Sequence, residues 1–221
     1  SYLQEYSSLD FAQIANVKSY DELLNVLSHT PYRNVLKNFM TSNNELNYRD
    51  CERALKTFYY QQLLNTIEKS YTGKTKASLL QMVKTEIDIN NLGIIYRLRR
   101  YFNTPPAEIK RYLIPFYYKL TPANVDILLS SNTKDDFIQK MKLSAYTSKM
   151  KSINFNYVEG YTSHLKNLLC RKAMRFSTDA PVSFYALYFL GKIEVDNIIN
   201  IIEGIRYNYD SAEIQKLLIL E

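Results

Sequence analysis

Between Asn47 and Tyr71, apolar residues fall at Leu55, Phe58, Tyr59, Leu63 and Ile67, three or four positions apart, with neither Pro nor Gly among them. This spacing predicts one long amphipathic helix with a single buried stripe. After a break at Gly73, the stretch Lys76–Phe102 predicts a second long helix. Thr104 and Pro105 then predict the start of a short helix whose apolar face is Ile109, Tyr112 and Leu113. Upstream, Ser19 and Glu22 have capping-box spacing ahead of Leu23, Leu24 and Leu27. Thr30 and Pro31 follow with the pattern of an N-cap and a first helical residue.

The same pattern then begins again. Thr133 and Asp136 repeat the capping box 114 positions after Ser19 and Glu22, and Tyr146 stands 114 positions after Tyr32. The stretch beginning Asn156-Tyr157 answers that beginning Asn47-Tyr48, with Leu165-Lys166 echoing Leu55-Lys56. Asp88, Asn91 and Arg100 meet Glu194, Asn197 and Arg206, each pair 106 positions apart. The expected fold is therefore all-α, a helical module present twice, with modules at 1–119 and 120–221. A stacked module buries its open face only against a neighbour or a cap, so at least one face should want a partner.

The repeated acid-x-x-Asn is the sharpest polar feature. Asp88 with Asn91, and Glu194 with Asn197, lie at i, i+3 on one face of a predicted helix. Buried amides and carboxylates must find hydrogen-bond partners, so these four residues are expected to form structural clasps that set helix register. A second cluster, Arg97, Arg99 and Arg100 with Lys110 and Arg111, gives a candidate basic rim able to meet acidic partner surfaces. Tyr96 and Phe102 beside those arginines supply the basic and aromatic ingredients of single-stranded nucleic-acid binding, although the second copy keeps only Arg206.

Composition narrows the class. Among 221 residues, 5 Gly and 6 Pro against 46% hydrophobic residues argue against disorder and against a turn-rich all-β chain. The 20 Tyr and 10 Phe, with no Trp, suit a helical core with hydroxyls at its wet edge. A net charge of +6 favours acidic partners without the density of a dedicated nucleic-acid binder. Cys51 and Cys170 are too few for a disulfide framework, and no apolar leader precedes the first helices, so a reducing cytosolic setting is the simplest expectation. The apolar run Ala180–Gly191 is shorter than a spanning helix needs.

Local signatures of catalysis are missing. Thr72-Gly73-Lys74-Thr75 resembles the end of a phosphate-binding loop, but Glu68 stands where that loop requires Gly. His29 and His164 lie far apart, and neither has metal-ligand spacing. No nucleophile with an adjacent base stands out, so binding is favoured over catalysis, with no cofactor and no metal expected.

Several stretches together carry a family resemblance: the run Thr85–Pro115, His29-Thr30-Pro31-Tyr32 ahead of a long helix containing Phe58–Leu64, and Pro181–Tyr207. In order and duplication they resemble the C subunit of archaeal and bacterial A/V-type rotary ATPases, called the d subunit in vacuolar enzymes. The resemblance implies a helical funnel of three such modules, of which this chain carries two resembling the second and third. It further implies a non-catalytic rotor socket of a proton- or sodium-translocating ATPase, joining the central shaft to the membrane proteolipid ring and passing torque between them. The implied setting is cytoplasmic, on the membrane periphery through the complex. The competing expectation is a helical scaffold that binds RNA through its basic face.

Overall fold

In a computed structural model the described residues are 9–39, 47–131, 133–142 and 158–220, and every regular element among them is a helix. They run in order as α1 (Phe11–Ala15), α2 (Tyr20–Val26), α3 (Pro31–Leu36), α4 (Tyr48–Ser70), α5 (Gly73–Arg100) and α6 (Pro106–Tyr112). Then come α7 (Pro122–Leu129), α8 (Lys134–Lys142), α9 (Val158–Phe176), α10 (Ala180–Arg206) and α11 (Ser211–Leu217). Two compact units result, residues 1–63 and 64–221. These units and the sequence repeat follow different cuts, because compactness follows packing and α9 packs along both α10 and α5.

In the first unit, Leu27, Leu36 and Cys51 form a small core, with Leu23, Leu24, Tyr32 and Leu55 against it. Tyr32 meets Phe58 edge to face, ring centres 5.7 Å apart. The Ser19 hydroxyl accepts the Glu22 N–H at 3.2 Å, as capping-box spacing predicts. The Glu22 carboxylate, however, accepts from Lys18 N–H at 2.9 Å, one residue before the cap.

In the second unit α5 is the spine. Ile87, Ile89, Leu92 and Ile95 have no exposed surface, because α6, α7, α9 and α10 all pack on this one helix. The core around Leu92 takes in Ile109 of α6, Val125 and Leu128 of α7, Phe137 and Met141 of α8, and Leu165 of α9. Burial of each such side chain is worth about 1.5–3 kcal/mol, so this cluster dominates the unit.

The turns explain where the long helices start and stop. Gly73 opens α5 at φ +57°, a conformation that carries no steric penalty for a residue without Cβ. The Lys76 ammonium reaches back 2.9 Å to the Glu68 carboxylate across that turn. At the far ends, Asn103 (φ 45°) and Asn208 (φ 57°) take left-handed conformations. Tyr209 N–H then donates to the Gly204 carbonyl at 2.9 Å, and Thr104 N–H to the Leu98 carbonyl at 3.0 Å. The first turn is one residue longer, through Phe102. It also delays α6, which begins at Pro106, after the expected Thr104–Pro105, since a residue preceding proline is held extended, as Pro105 is at ψ 143°.

Thr133 accepts the Asp136 N–H at 3.1 Å ahead of α8. Tyr146 and Asn156, the other landmarks of the repeat, lie outside the described residues.

Both cysteines are buried and free. Burial, reinforced by the nearby Glu86 carboxylate, pushes the Cys170 thiol up to about 11. Alkylation of Cys170 by iodoacetamide in native protein at pH 8 should therefore be about a hundredfold slower than in urea-unfolded chain, as read by mass spectrometry of its peptide.

Candidate functional site

The polar residues singled out by the repeat sit in the second half of each long helix. Asn91 is fully buried on α5, where its side-chain N–H donates to the Ile114 carbonyl at 3.0 Å and its carbonyl oxygen accepts the Ile114 N–H at 2.9 Å. Asn197 on α10 makes the same two bonds, 3.0 Å and 2.9 Å, with Ile219. A side-chain amide can satisfy one backbone N–H and one C=O together, which is the pairing an extended residue just past a short helix requires. Ile114 follows α6 and Ile219 follows α11, so each asparagine ties its long helix to the returning chain.

The two acids differ. Asp88 has no exposed surface, and its carboxylate accepts three backbone N–H bonds, from Tyr118 at 3.2 Å, Lys119 at 2.7 Å and Leu120 at 2.9 Å. Those donors lie in the segment that leads into α7. Glu194 is exposed, and among the described residues no backbone amide is bonded to it.

The two helices also differ in what covers them. Ile89, Leu92 and Tyr96 are buried, whereas Val195, Ile198 and Ile202, 106 positions on, are 54%, 56% and 61% exposed. Along one side of α10 this exposed apolar surface runs from Phe184 and Tyr188 to Ile205.

The expected basic rim is divided. Arg97, Arg100 and Arg111 are exposed. Arg99 Nε donates to the Ser131 carbonyl at 3.3 Å, and Lys110 pairs with Asp126 of α7. Two of the five cations are thus engaged within the second unit.

Sequence reasoning did not single out a network around Glu86, which lines a cavity of about 290 Å³ among α5, α9 and α10. Tyr185 Oη donates to Glu86 Oε2 at 2.6 Å, and Lys166 Nζ lies 2.9 Å from Asn90 Oδ1 and 3.8 Å from the Glu86 carboxylate. These partners are 76 to 99 positions apart, so no local pattern betrays them. Burial lowers the His164 pKa. No group of three His, Cys, Asp or Glu that could hold a metal occurs among the described residues, and no helix there is long and apolar enough to cross a membrane.

The chain is similar in sequence to known proteins. A family model described as ATP synthase (C/AC39) subunit matches residues 1–217. The chain is 25% identical over 206 residues to the C subunit of the A-type ATP synthase of Methanosarcina acetivorans, covering 90% of this chain and 55% of that protein. For the corresponding protein of Methanococcoides burtonii the identity is 25% over 213 residues, covering 94% and 58%. For that of Thermococcus gammatolerans it is 32% over 102 residues, covering 46% and 27%. The chain thus spans a little over half the length of the first two relatives.

The two asparagines should differ in their contribution. Asn91→Ala leaves a buried N–H and C=O of Ile114 unpaired and should lower stability by about 2–4 kcal/mol, while Asn197→Ala, at a half-exposed site, should cost about 1–2 kcal/mol. Urea denaturation followed by circular dichroism measures both.

Proposed function

The chain belongs to the ATP synthase (C/AC39) subunit family, and we propose that it serves as a non-catalytic central-stalk rotor element of an A/V-type ATPase. In this reading it links the central shaft to the proteolipid ring and passes torque between them. The observation that carries the proposal is the continuity of the family match, which runs through both long helix pairs from residue 1 to 217.

The geometry supports a mechanical part. A rotor link must resist bending, and long helices whose returning segments are fixed by buried side-chain bonds resist it. Asp88 and Asn91, with Asn197, act here as structural clasps that hold the path of the chain after each long helix. Glu194 stands at the same repeated position but is exposed and takes no backbone N–H among the described residues, so the clasp set is Asp88, Asn91 and Asn197. The modules are two copies of one design, 1–119 and 120–221. Matching asparagine bonds, 106 positions apart in their helices, support this duplication, as do the matching left-handed helix ends at Asn103 and Asn208.

Arg97, Arg100 and Arg111 are exposed and, unlike the exposed Lys110 with its Asp126 pair, are assigned to acidic surfaces of the shaft or ring. The competing RNA scaffold would draw on the same basic face, from which Arg99 and Lys110 are already engaged internally.

The test is capture of the chain, after nuclease treatment, by purified shaft proteins and by detergent-solubilised proteolipid ring from the same cells. Binding to either is expected, and reversal of Arg97, Arg100 and Arg111 to Glu should weaken it about tenfold or more and flatten its salt dependence. Retention of nucleic acid, with no affinity for shaft or ring, would contradict the proposal.

A further inference from the structure

We propose that the cavity among α5, α9 and α10 is a binding site for an amphipathic anion, an alkyl chain with a carboxylate or phosphate at one end. Its walls are apolar: Met82 and Ile89 of α5, Leu169 and Ala173 of α9, and Val182 and Phe189 of α10. Its volume of about 290 Å³ lies at the lower edge of the range for small-molecule sites, about 300–1,000 Å³. An apolar hollow of that size forfeits the contacts that close packing would give, and a chain of methylene groups restores them.

The two ends of the cavity differ in charge. At one end the Glu86 carboxylate accepts from Tyr185 Oη at 2.6 Å, and Lys166 lies 3.8 Å from it while reaching Asn90 at 2.9 Å. These charges are matched within the protein, so this end asks for no ion. At the other end Lys74, from the first turn of α5, and Lys172, near the end of α9, line the cavity with exposed side chains, and neither meets a carboxylate among the described residues. Two helices start there as well. Neither α5 nor α10 has an acid in its first turn or a side chain capping its leading N–H groups, so the positive ends of both dipoles are uncompensated. Asp179, the N-cap of α10, lines this end too, while Glu68, before α5, is taken by Lys76 at 2.9 Å. Two ammonium groups and two helix starts against the Asp179 carboxylate leave an excess of positive charge, which selects an anionic head with its chain directed inward.

The experiment is isothermal titration calorimetry of the full chain with sodium decanoate below its micelle-forming concentration, with helicity of every variant checked by circular dichroism. Saturable binding is expected, and it should slow iodoacetamide alkylation of Cys170, which lines the cavity, about tenfold. Lys74→Glu with Lys172→Glu should weaken binding about tenfold or more, and decan-1-ol, which lacks the charge, should bind the native chain about tenfold more weakly than decanoate does. Ala173→Phe, which sets a ring inside the cavity, should abolish binding. Cosedimentation with phosphatidylglycerol vesicles separates two sources of this chemistry. Capture that decanoate displaces identifies a bilayer lipid, whereas decanoate binding without capture identifies a soluble alkyl anion. Absence of saturable decanoate binding would overturn the proposal, as would binding indifferent to the lysine pair or binding that leaves Cys170 alkylation unchanged. Loss of shaft and ring binding would leave these results unchanged, so this proposal and the rotor reading fail separately.

Discussion

A carboxylate with no exposed surface, on a helix whose Ile87, Ile89 and Leu92 are equally buried, would be intolerable without donors, since an ionised group taken out of water unpaired costs several kcal/mol. Asp88 is held there because three successive backbone N–H groups, of Tyr118, Lys119 and Leu120, converge on its two oxygens. The dependence runs both ways. The acid is stable only with that segment in place, and the segment's path is fixed by the acid. Since Leu120 leads directly into α7, the placement of Val125 and Leu128 against α5 follows from the same three bonds. Asn91, one turn along, holds Ile114, so the two side chains fix both ends of the segment that runs from α6 to α7.

Comparison of α5 with α10 separates what the module needs from what its neighbours supply. Asn197 makes its pair of bonds to Ile219 as Asn91 does to Ile114, so this part of the design is intrinsic to one helix and the short helix after it. Burial of Asp88 depends on the chain that continues into α7, and the matching Glu194 stays at the surface. Gly204 permits a second intrinsic feature, because a Cβ there would stand 2.6 Å from Ile214 and would push α11 off α10.

Much of this was legible in the sequence. The helix limits of α4 and α5 fell within a few residues of the apolar spacing at Leu55–Ile67 and the break at Gly73, because helix periodicity is a local property. The choice of Asn91 and Asn197 was legible because repetition at a fixed offset marks positions that packing constrains. Their partners Ile114 and Ile219 were not, since a backbone group carries no signature in a side-chain pattern. The Glu86, Lys166 and Tyr185 network was hidden for a different reason, its members being joined only by the packing of α5, α9 and α10 on one another. The division of the arginine cluster was equally invisible, as it turns on where α7 places Asp126 and Ser131.

Whether buried side chains of α5 dictate the course of the chain after α6 is tested most directly by amide hydrogen exchange resolved by residue. The amides of Ile114, Lys119 and Leu120 lie outside every helix, yet they should exchange as slowly as the core of α5, through opening of the whole second unit. Exchange of these three at the rate of an ordinary exposed loop, while Ile89 and Leu92 stay protected, would contradict it.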